Sequence, residues 1–365
     1  MKKDCNDHIS EEDYFHGARR AARKERNRIV QSDRSKYKKS DLDKAAKNKE
    51  VIEIKHSHRG RVLSISSQGI LVDSEGIQYM CSLRGALKKE KTRQKRLITV
   101  GDFVHFDVTG DEGAIGHIEE RRSVLSRADN LARTKEQYIA ANIDQVLITI
   151  SVVNPTLKPS LVDRYIISSE KGNMLPIVVV NKTDLINEAT AEEREQYDTF
   201  RREYSKAGAT IVAVSAVTGE GLDALRSLMK NKASVFAGQS GVGKSSLINA
   251  VTGLDLTVGE VVDKTRKGSH TTTQSHLIPL ECGGWCVDTP GIKSFGMWEL
   301  HREEIAGYFP DIEEIRGHCK FQDCMHISEP DCAVIKAVED GDLSSMRYDS
   351  YLSLIDEADE EHHRR

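Results

Sequence analysis

Hydrophobic and polar positions divide the 365-residue chain into four stretches. Residues 1–50 are polar with almost no apolar periodicity, which predicts a flexible or partly helical basic arm. From 51 to 122, short β-rich runs such as GILVDS, IQYMCSL, DFVHFDV and AIGHIEERRSVL are separated by Gly, Asp and Ser turns. About five short strands in so short a stretch predict a small barrel; the OB-fold is one nucleic-acid-binding example, and an SH3-like barrel is the alternative.

Between 126 and 296, continuous apolar runs alternate with amphipathic runs. The predicted buried strands are IDQVLITISV, LPIVVVNKTDL (ending in polar residues), TIVAVSA and SVFAG, and the predicted helices are PSLVDRYIISSEKGN, AEEREQYDTFRREYSKAG, GLDALRSLMKN and KSSLINAVTG. This alternation predicts a mostly parallel sheet covered on both faces, with functional residues at the carboxyl ends of the strands. Residues 297–365 are predicted to be helical, to carry a Cys/His cluster and to end in a charged helix. The predicted fold class is therefore multidomain α/β.

Composition and charge refine this picture. The chain is 38% hydrophobic and 30% charged, as expected of a globular protein rather than a fibrous or disordered one. It has neither an apolar run long enough to span a membrane nor a secretory signal, so the expected location is the cytoplasm, without membrane contact. The sequence leaves the oligomeric state open, and a monomer is the default. Within a net charge of −4, residues 18–49 and 84–96 are strongly basic. Charge alone leaves open whether these runs contact a polyanion or form ordinary solvated surface.

Residues 238–245, GQSGVGKS, match the phosphate-binding pattern G-x-x-x-x-G-K-[ST] between a predicted strand and a predicted helix. The glycines let the backbone aim N–H groups at phosphate oxygens, and the N-terminus of the helix faces the same anion. Lys244 is expected to reach the β- and γ-phosphates, and the Ser245 hydroxyl is expected to bind Mg²⁺. The predicted phosphate-loop residues are Gly238, Gln239, Ser240, Gly241, Val242, Gly243, Lys244, Ser245 and Ser246.

The NKTD run at 181–184 follows an apolar strand and predicts base recognition. The Asp184 carboxylate can accept hydrogen bonds from N1–H and the exocyclic amine of guanine, a pair of donors that adenine lacks. The stem of Lys182 can lie over the purine face, and SAVTG at 215–219 follows one strand later. The alternative is a turn in which Asp184 caps the next helix. The predicted base-binding residues are Asn181, Lys182, Thr183, Asp184, Ser215 and Ala216.

Two further motifs come after the phosphate loop, namely KGSHTTT at 267–273 and DTPG at 288–291. Asp288 is expected to hold Mg²⁺ directly or through water, and the Gly291 N–H is expected to meet the γ-phosphate. A hydroxyl from Thr271, Thr272 or Thr273 is expected to complete the Mg²⁺ shell, and Thr272 is favoured.

The order of these motifs is unusual, because the base-binding half precedes the phosphate-binding half. A GTPase domain whose ends were rejoined elsewhere has this order, and such circular permutation is tolerated because domain termini often lie close together. The switch segments, at about 260–296, then lead directly into the C-terminal region, so that movement on hydrolysis is expected to reach it.

A cysteine- and histidine-rich run, HCKFQDCMHISEPDCA, occupies 318–333. Three thiolates and one imidazole match a closed structural zinc site, and such clustering favours a metal over disulfides. The alternative is a set of scattered buried thiols. His318 is a second candidate for the histidine ligand, but His326 is favoured. Cys282 and Cys286 flank a Gly-Gly turn and are predicted to be hairpin residues rather than a second metal or redox pair. The four predicted zinc ligands are Cys319, Cys324, His326 and Cys332.

In this permuted order, NKTD, SAVTG, GQSGVGKSS, HTTT and DTPG lie between a barrel-like region and a Cys-x4-Cys-x-His-x5-Cys cluster. The combination closely resembles the ribosome small-subunit-dependent GTPase A (RsgA) family over about 51–355. The resemblance implies an OB-fold, a permuted GTPase domain that binds GTP and GDP with Mg²⁺, and a C-terminal domain with one Zn²⁺. It implies a GTP hydrolase that binds the small ribosomal subunit and its rRNA late in maturation, with subunit-stimulated turnover coupled to release.

The resemblance also bears on catalysis. Many GTPases orient the attacking water with a glutamine soon after the DxxG motif, but Ile292 follows that motif here. The resemblance implies that a loop histidine, matching His270, takes this role, so that His270, Lys244 and Thr272 are the expected catalytic residues. A GTP-gated RNA-binding scaffold with incidental hydrolysis is the alternative function.

Overall fold

The structure is a computed structural model, and it describes residues 58–88, 97–110, 112–128, 136–253, 275–288 and 301–363. The predicted arm at 1–50 and most of the basic run at 84–96 lie outside the described residues.

The first five strands close into a barrel. Neighbours follow the order β1-β2-β3-β5-β4, and β1 pairs with β4 to close the ring. All pairs are antiparallel except β3 with β5, which is the OB-like barrel that the sequence favoured. A single helical turn, α1 (Gly85–Lys88), follows β3. The barrel strands are β1 His58–Ile65, β2 Ile70–Ser74, β3 Ile77–Leu83, β4 Phe103–Thr109 and β5 Glu112–Ile118.

The run AIGHIEERRSVL, predicted as one β segment of the barrel, is divided in the structure. Strand β5 ends at Ile118, and β6 (Val124–Ala128) pairs with β7 (Glu136–Ala141) in a separate two-stranded antiparallel sheet. Between them, Arg121 forms a two-bond ion pair with the buried Asp102 at 2.7 and 2.9 Å. This contact fixes the chain where it leaves the barrel, and no local pattern predicts it because its partner is distant in sequence.

The main sheet has six strands in the order β10-β9-β8-β11-β13-β12. All neighbours are parallel except the β12–β13 hairpin at one edge, so the mostly parallel prediction is confirmed. The strands are β8 Gln145–Ser151, β9 Leu175–Asn181, β10 Thr210–Ala213, β11 Ala233–Ala237, β12 His276–Pro279 and β13 Trp285–Asp288.

Helices cover both faces of this sheet, as predicted. Val146 and Ile148 of β8 pack in one cluster with Val162 and Phe200, whereas Leu147 packs in another with residues of the helices on the opposite face. Proline at the first turn starts the first of these helices, and a Thr190–Glu193 capping box starts the second. The helices are α2 Pro159–Lys171, α3 Ala191–Lys206, α4 Leu222–Met229 and α5 Lys244–Thr252, with a 3₁₀ turn at Thr183–Glu188.

The C-terminal region is helical, as predicted, and has its own core around Phe309, Ile312, Tyr351 and Leu354. Ile167 of α2 belongs to the same core, so this region packs against the main sheet's helical layer. Among the described residues, no helix is both long enough and apolar enough to cross a membrane. The elements are α6 Arg302–Ile305, a 3₁₀ turn Ala306–Tyr308, α7 Pro310–Arg316, α8 Ala333–Glu339 and α9 Ser345–His363.

Candidate functional site

The predicted nucleotide motifs meet at one edge of the main sheet. Because β8, β9, β10, β11 and β13 are parallel, their carboxyl ends lie along the same edge. Asn181 is the last residue of β9, Ser215 comes two residues after β10, and Gly238 comes directly after β11. Base and phosphate motifs that are far apart in sequence are therefore neighbours in the fold, as the permuted order predicts.

The phosphate loop requires glycine at its first position. Gly238 has φ +140°, and a Cβ there would lie 2.1 Å from the carbonyl oxygen of Thr149. Lys244 begins α5, and its Nζ donates to the carbonyls of Gly238 and Gln239, both at 2.8 Å. The ammonium group therefore lies across the loop, close to the N–H groups at the start of α5, where an anion is favoured.

The other loop residues differ in exposure. Val242 is buried and anchors the loop, whereas Ser240 and Gly241 are exposed at its tip. Ser245 and Ser246 lie in the first turn of α5 and are also exposed, so the hydroxyl predicted to bind Mg²⁺ is accessible.

Asn181 connects the base loops to the phosphate loop. Its side chain is buried; Nδ2 donates to the carbonyl of Val242 at 2.8 Å, and Oδ1 accepts from the N–H of Ala216 at 3.2 Å. Gly243 has φ +90°, and a Cβ there would lie 2.4 Å from Asn181 Nδ2, so the close approach of the two loops requires glycine. This amide thus fixes the spacing between the two halves of the site.

Asp184 is oriented by the SAVTG loop. The buried Ser215 donates its hydroxyl to Asp184 Oδ1 at 2.5 Å, and the same hydroxyl accepts from the N–H of Thr218 at 3.1 Å. A carboxylate has further acceptor capacity, which leaves Asp184 able to receive donors from a base. The helix-capping alternative for Asp184 is wrong, because α3 is capped by Thr190.

The remaining NKTD residues are held by backbone and loop contacts. The Thr183 N–H donates to the carbonyl of Val214 at 3.2 Å, which joins NKTD to the end of β10. Lys182 adopts φ +64°, and its Nζ donates to the carbonyl of Asn154.

The Asn154 carbonyl belongs to the loop 152–158, which lies beside the NKTD, SAVTG and phosphate loops and for which the sequence motifs predicted no site residue. Pro155 Cδ lies 3.6 Å from the position of a Cβ on Gly241, and the Ser151 hydroxyl donates to the carbonyl of Pro155 at 2.8 Å. The Asn154–Pro155 dipeptide signals a turn after a buried strand, but a dipeptide does not show that the turn lies against the phosphate loop.

Several residues predicted to act near the γ-phosphate, and the residue that follows the DTPG motif, lie outside the described residues. They are His270, Thr272, Gly291 and Ile292. Asp288 is the last residue of β13, whose neighbour in the sheet is the phosphate-loop strand β11, with Val235 paired to Val287. The backbone of the DTPG motif therefore begins beside the phosphate loop.

The Cys/His cluster gathers into one site in the C-terminal region. Its four candidate ligand atoms all lie within 4.8 Å of one another, and they belong to Cys319, Cys324, His326 and Cys332. The Sγ atoms of Cys319 and Cys332 are 3.9 Å apart, and His326 Nδ1 lies 3.5 and 3.4 Å from them. A tetrahedral ion with usual zinc bond lengths requires S–S and S–N separations of about 3.8 and about 3.6 Å. The donor set therefore fits a tetrahedral metal ion.

Surrounding residues hold the ligand loop in shape. The Glu329 carboxylate accepts the N–H groups of Met325 and Ile327, each at 2.8 Å. Burial opposes ionisation of Glu329, but these backbone donors outweigh it and lower its pKa to about 2. The hydroxyls of Tyr348 and Tyr351 donate to the carbonyls of His326 and Met325, both at 2.8 Å. The loop is thus fixed independently of its ligand atoms.

The competing ligands are not part of this site. His318 is exposed and lies outside the cluster, whereas His326 is one of its four members. Cys286 is buried in β13 and Cys282 lies in the adjoining turn; neither forms a disulfide bond. Within the part of the chain that the structure describes, they gather no group of three or more ligands.

Comparison with known proteins gives the family that the sequence motifs resemble. The family model of the RsgA GTPase matches residues 118–298. A relative from Bacteroides fragilis, the small ribosomal subunit biogenesis GTPase RsgA, is 37% identical over 311 residues, covering 81% of this chain and 99% of the relative. The protein of the same name from Chlorobaculum parvum is 42% identical over 274 residues, covering 72% of this chain and 86% of its own length.

Two solved structures have the same fold. YloQ, described as a circularly permuted GTPase, superposes with a TM-score of 0.64 at 31% identity, covering 85% of this chain and 98% of YloQ. YjeQ from Thermotoga maritima gives a TM-score of 0.66 at 32% identity, covering 82% of this chain and 98% of YjeQ. With its permuted motifs joined at one sheet edge and relatives matched over nearly their full length, this chain belongs to the RsgA GTPase family.

Proposed function

We propose that this protein hydrolyses GTP to GDP and phosphate while bound to the small ribosomal subunit, and that it assists late maturation of that subunit. The observation that supports the proposal is the link made by Asn181 between the SAVTG loop and the phosphate loop, since it fixes the spacing between two loops that carry nucleotide-binding motifs. The relatives are named as small ribosomal subunit biogenesis GTPases, and this supports the small ribosomal subunit as the partner.

Nucleotide binding is assigned to the loops at the carboxyl edge of the sheet. Asp184, held by Ser215, accepts the two guanine donors, and the stem of Lys182 covers the purine face. On binding, Lys244 exchanges its bonds to the loop carbonyls for bonds to the β- and γ-phosphates. This exchange keeps the ammonium group paired both with and without nucleotide.

Magnesium fits the remaining oxygen donors. Ser245 is exposed at the start of α5, and Asp288 ends the neighbouring strand, so both are assigned to Mg²⁺ together with Thr272. When bound, the ion neutralises charge on the β- and γ-phosphates. The Gly291 N–H is assigned to the γ-phosphate.

The chemical step is an in-line displacement at the γ-phosphorus. A water oxygen bonds to phosphorus while the bond to the β–γ bridging oxygen breaks, which leaves GDP and inorganic phosphate. His270 is proposed to orient this water through its imidazole, because Ile292 has no hydrogen-bonding side chain to do so. Lys244 stabilises the charge that develops on the phosphate oxygens.

The Cys/His cluster is proposed to hold one structural Zn²⁺. With four protein ligands the coordination shell is complete and leaves no position for substrate. Burial, and then the neighbouring thiols, raise the pKa of Cys324 to about 12, and a bound cation reverses this preference because it coordinates the thiolate.

The chain is proposed to consist of four segments with different roles. They are the arm at 1–50, the OB-like barrel at 51–122, the GTPase domain at 126–296, and the zinc domain with its charged tail at 297–365. The barrel and the zinc domain are proposed to contact rRNA, with the basic arm adding charge. The protein is proposed to act as a monomer in the cytoplasm, where ribosomal subunits mature.

The test is GTP hydrolysis by the purified protein alone, with isolated small subunits, and with large subunits as control. A large increase specific to small subunits is expected. If the protein binds GTP tightly but small subunits do not raise its rate of hydrolysis, the result would instead support the scaffold function, in which hydrolysis is incidental.

A further inference from the structure

Three arginine side chains gather around one aromatic ring where the barrel meets the main sheet. The guanidinium carbons of Arg59, Arg61 and Arg122 lie 4.5, 5.1 and 5.8 Å from the centre of the Phe103 ring. The guanidinium of Arg61 also lies 5.9 Å from the ring centre of Trp285, the first residue of β13. Arg59 and Arg122 are exposed and both rings are half-buried, so solvent reaches this arginine cluster.

Asn142 fixes the positions of Arg61 and Arg122. Arg61 Nη2 donates to the Asn142 carbonyl at 2.6 Å, and the Arg122 N–H donates to Asn142 Oδ1 at 2.9 Å. Asn142 is buried, and its Nδ2 donates to the carbonyl of Gly101, in the turn before β4, at 3.1 Å. The fold therefore holds two like charges close to each other.

The described residues balance only part of this positive charge. Glu119 accepts from Arg59 at 2.7 and 3.0 Å, but neither Arg61 nor Arg122 forms an ion pair within the described part of the chain. Burial lowers the pKa of Arg61 to about 10; Asp144 opposes this effect through space, and Arg122 adds to it. An anion bound beside Arg61 and Arg122 would therefore be stabilised by charges that now repel each other.

Arg61 also lacks one hydrogen-bond acceptor. This residue is only 9% exposed, and its Nε has no hydrogen-bond partner among the described residues. A buried, charged donor without an acceptor is costly, and an anion that accepts from it removes that cost.

We propose that the arginine cluster binds single-stranded RNA, with Arg61 and Arg122 on one phosphate and with Phe103 as a surface for an adjoining base. Guanidinium groups bind phosphate through charge and paired N–H donors, and aromatic rings stack on unpaired bases. An acidic peptide would use the guanidinium groups but not the ring, so the combination favours RNA. This inference rests on the proposed function, because rRNA of the small subunit supplies the partner.

The proposed surface differs from the one that OB-folds commonly use. That surface lies on the second and third strands and their loops. Here β2 (ILVDS) and β3 (IQYMCSL) contain no arginine or lysine. Arg59 and Arg61 are instead on β1, where Arg61 is paired with Phe103 of β4. Charge therefore favours the β1–β4 side of the barrel for RNA.

Trp285 provides a reporter beside the cluster. The chain has two tryptophans, so Trp298→Phe leaves Trp285 as the sole source of indole fluorescence. An oligouridylate of about ten nucleotides is titrated into this full-length protein without GTP or GDP. We expect the emission of Trp285 to change on binding, whereas RNA bound elsewhere on the chain leaves it unchanged.

Two variants in this background separate charge from geometry. Arg122→Gln removes an exposed cation and is expected to raise the Kd for the oligouridylate about 10-fold and to lower the slope of log Kd against log salt by about 0.7. Arg61→Lys keeps the charge but loses the planar fork, so we expect about a 3- to 10-fold rise in Kd with an unchanged slope. Arg122→Gln stays informative even if Arg61→Lys reduces the yield of folded protein.

Arg201→Gln is the matched control. This arginine of α3 is also exposed, and its guanidinium lies 5.7 Å from the ring centre of Tyr197, but it is outside the cluster. The substitution changes the net charge by the same amount as Arg122→Gln, and we expect it to change neither the Kd nor the salt slope.

Competing anions identify the occupant. RNA is supported if the oligouridylate acts at concentrations at least about 100-fold below those of inorganic phosphate and polyglutamate. Equal potency of inorganic phosphate or polyglutamate would overturn RNA as the ligand. An unchanged Trp285 emission, or equal effects of Arg122→Gln and Arg201→Gln, would overturn the site itself.

A titration of the same proteins with labelled GDP separates this inference from the proposed function. If GDP binds normally while the RNA results are negative, the inference fails and the proposed GTPase stands. If the wild-type protein does not bind GDP, the proposed function fails whatever the RNA results are.

Discussion

Replacing Asn181 with alanine tests whether one side chain holds the two halves of the site together. The change leaves two groups without their present partner, the Val242 carbonyl and the Ala216 N–H. Val242 is buried, so we assign its carbonyl a cost of about 2 kcal/mol; Ala216 is half-buried and can regain water, so we assign its N–H about 1 kcal/mol. The expected total is about 3 kcal/mol, equivalent to about a 150-fold change in an equilibrium constant.

This cost divides between two measurable quantities. If the loops keep their positions without nucleotide, the free energy of unfolding falls; if they relax, the cost appears when GDP draws them together again. Urea unfolding of the nucleotide-free protein measures the loss in the free energy of unfolding, and titration with labelled GDP measures the loss in the free energy of binding. The expected total is the sum of these two losses. Asn187→Ala is the control, since this exposed amide lies in the adjoining 3₁₀ turn, and we expect it to change the sum by less than about 0.5 kcal/mol.

The reasoning would be refuted by a sum below about 1 kcal/mol for Asn181→Ala, because a hydrogen-bonded, buried amide that joins the loops cannot be removed so cheaply. A different outcome is that the whole cost lowers the free energy of unfolding while the affinity for GDP is unchanged. It would show that the loops keep their spacing by other contacts, such as that of Lys182 with the 152–158 loop.

Three further predictions follow from the site. Asp184→Asn is expected to weaken guanine nucleotides by at least about 10-fold and to favour xanthosine nucleotides, because the amide presents a donor where guanine also presents one; competition between GDP and xanthosine diphosphate measures this. His270→Ala is expected to lower subunit-stimulated hydrolysis by about 100-fold with unchanged GTP affinity, and a normal stimulated rate would remove His270 from the mechanism. Glu329→Gln is expected to speed loss of zinc to a chelator by about 10-fold, because a neutral amide is a weaker acceptor for the backbone donors that shape the ligand loop; an unchanged rate beside wild type would contradict this.

Most of the site was predictable because each of its motifs is local. The phosphate loop, NKTD and SAVTG each contain the residues that their chemistry needs, and the alternation of strands and helices places all of them at the carboxyl edge of a parallel sheet. The Cys/His cluster was predictable for the same reason, since its four residues lie within fourteen consecutive positions from Cys319 to Cys332.

What could not be predicted depends on residues that are distant in sequence. Asp163 and Arg347 form a buried ion pair although they are separated by 184 positions, and nothing near either residue indicates the other. In sequence, Asp163 is only a polar residue within an amphipathic helix, which ordinarily indicates the solvent face. The β6–β7 hairpin was missed for a related reason, because a short β-rich run does not specify which strand it pairs with.

The permuted strand order has a consequence for how the chain folds during synthesis. Strands β8, β9 and β10 are consecutive in sequence and adjacent in the sheet, so the half of the sheet that carries the NKTD run has its three strands once residue 213 has emerged. Its neighbour β11 comes later, and the side-chain bond between Gln145 and Ser234 that joins β8 to β11 spans 89 positions. Because chains emerge from the N-terminus and distant pairings form slowly, the nascent protein is expected to hold the NKTD and SAVTG loops before it has a phosphate loop. Nucleotide can then act as a late folding ligand, stabilising the finished sheet only once its central pair of strands has joined.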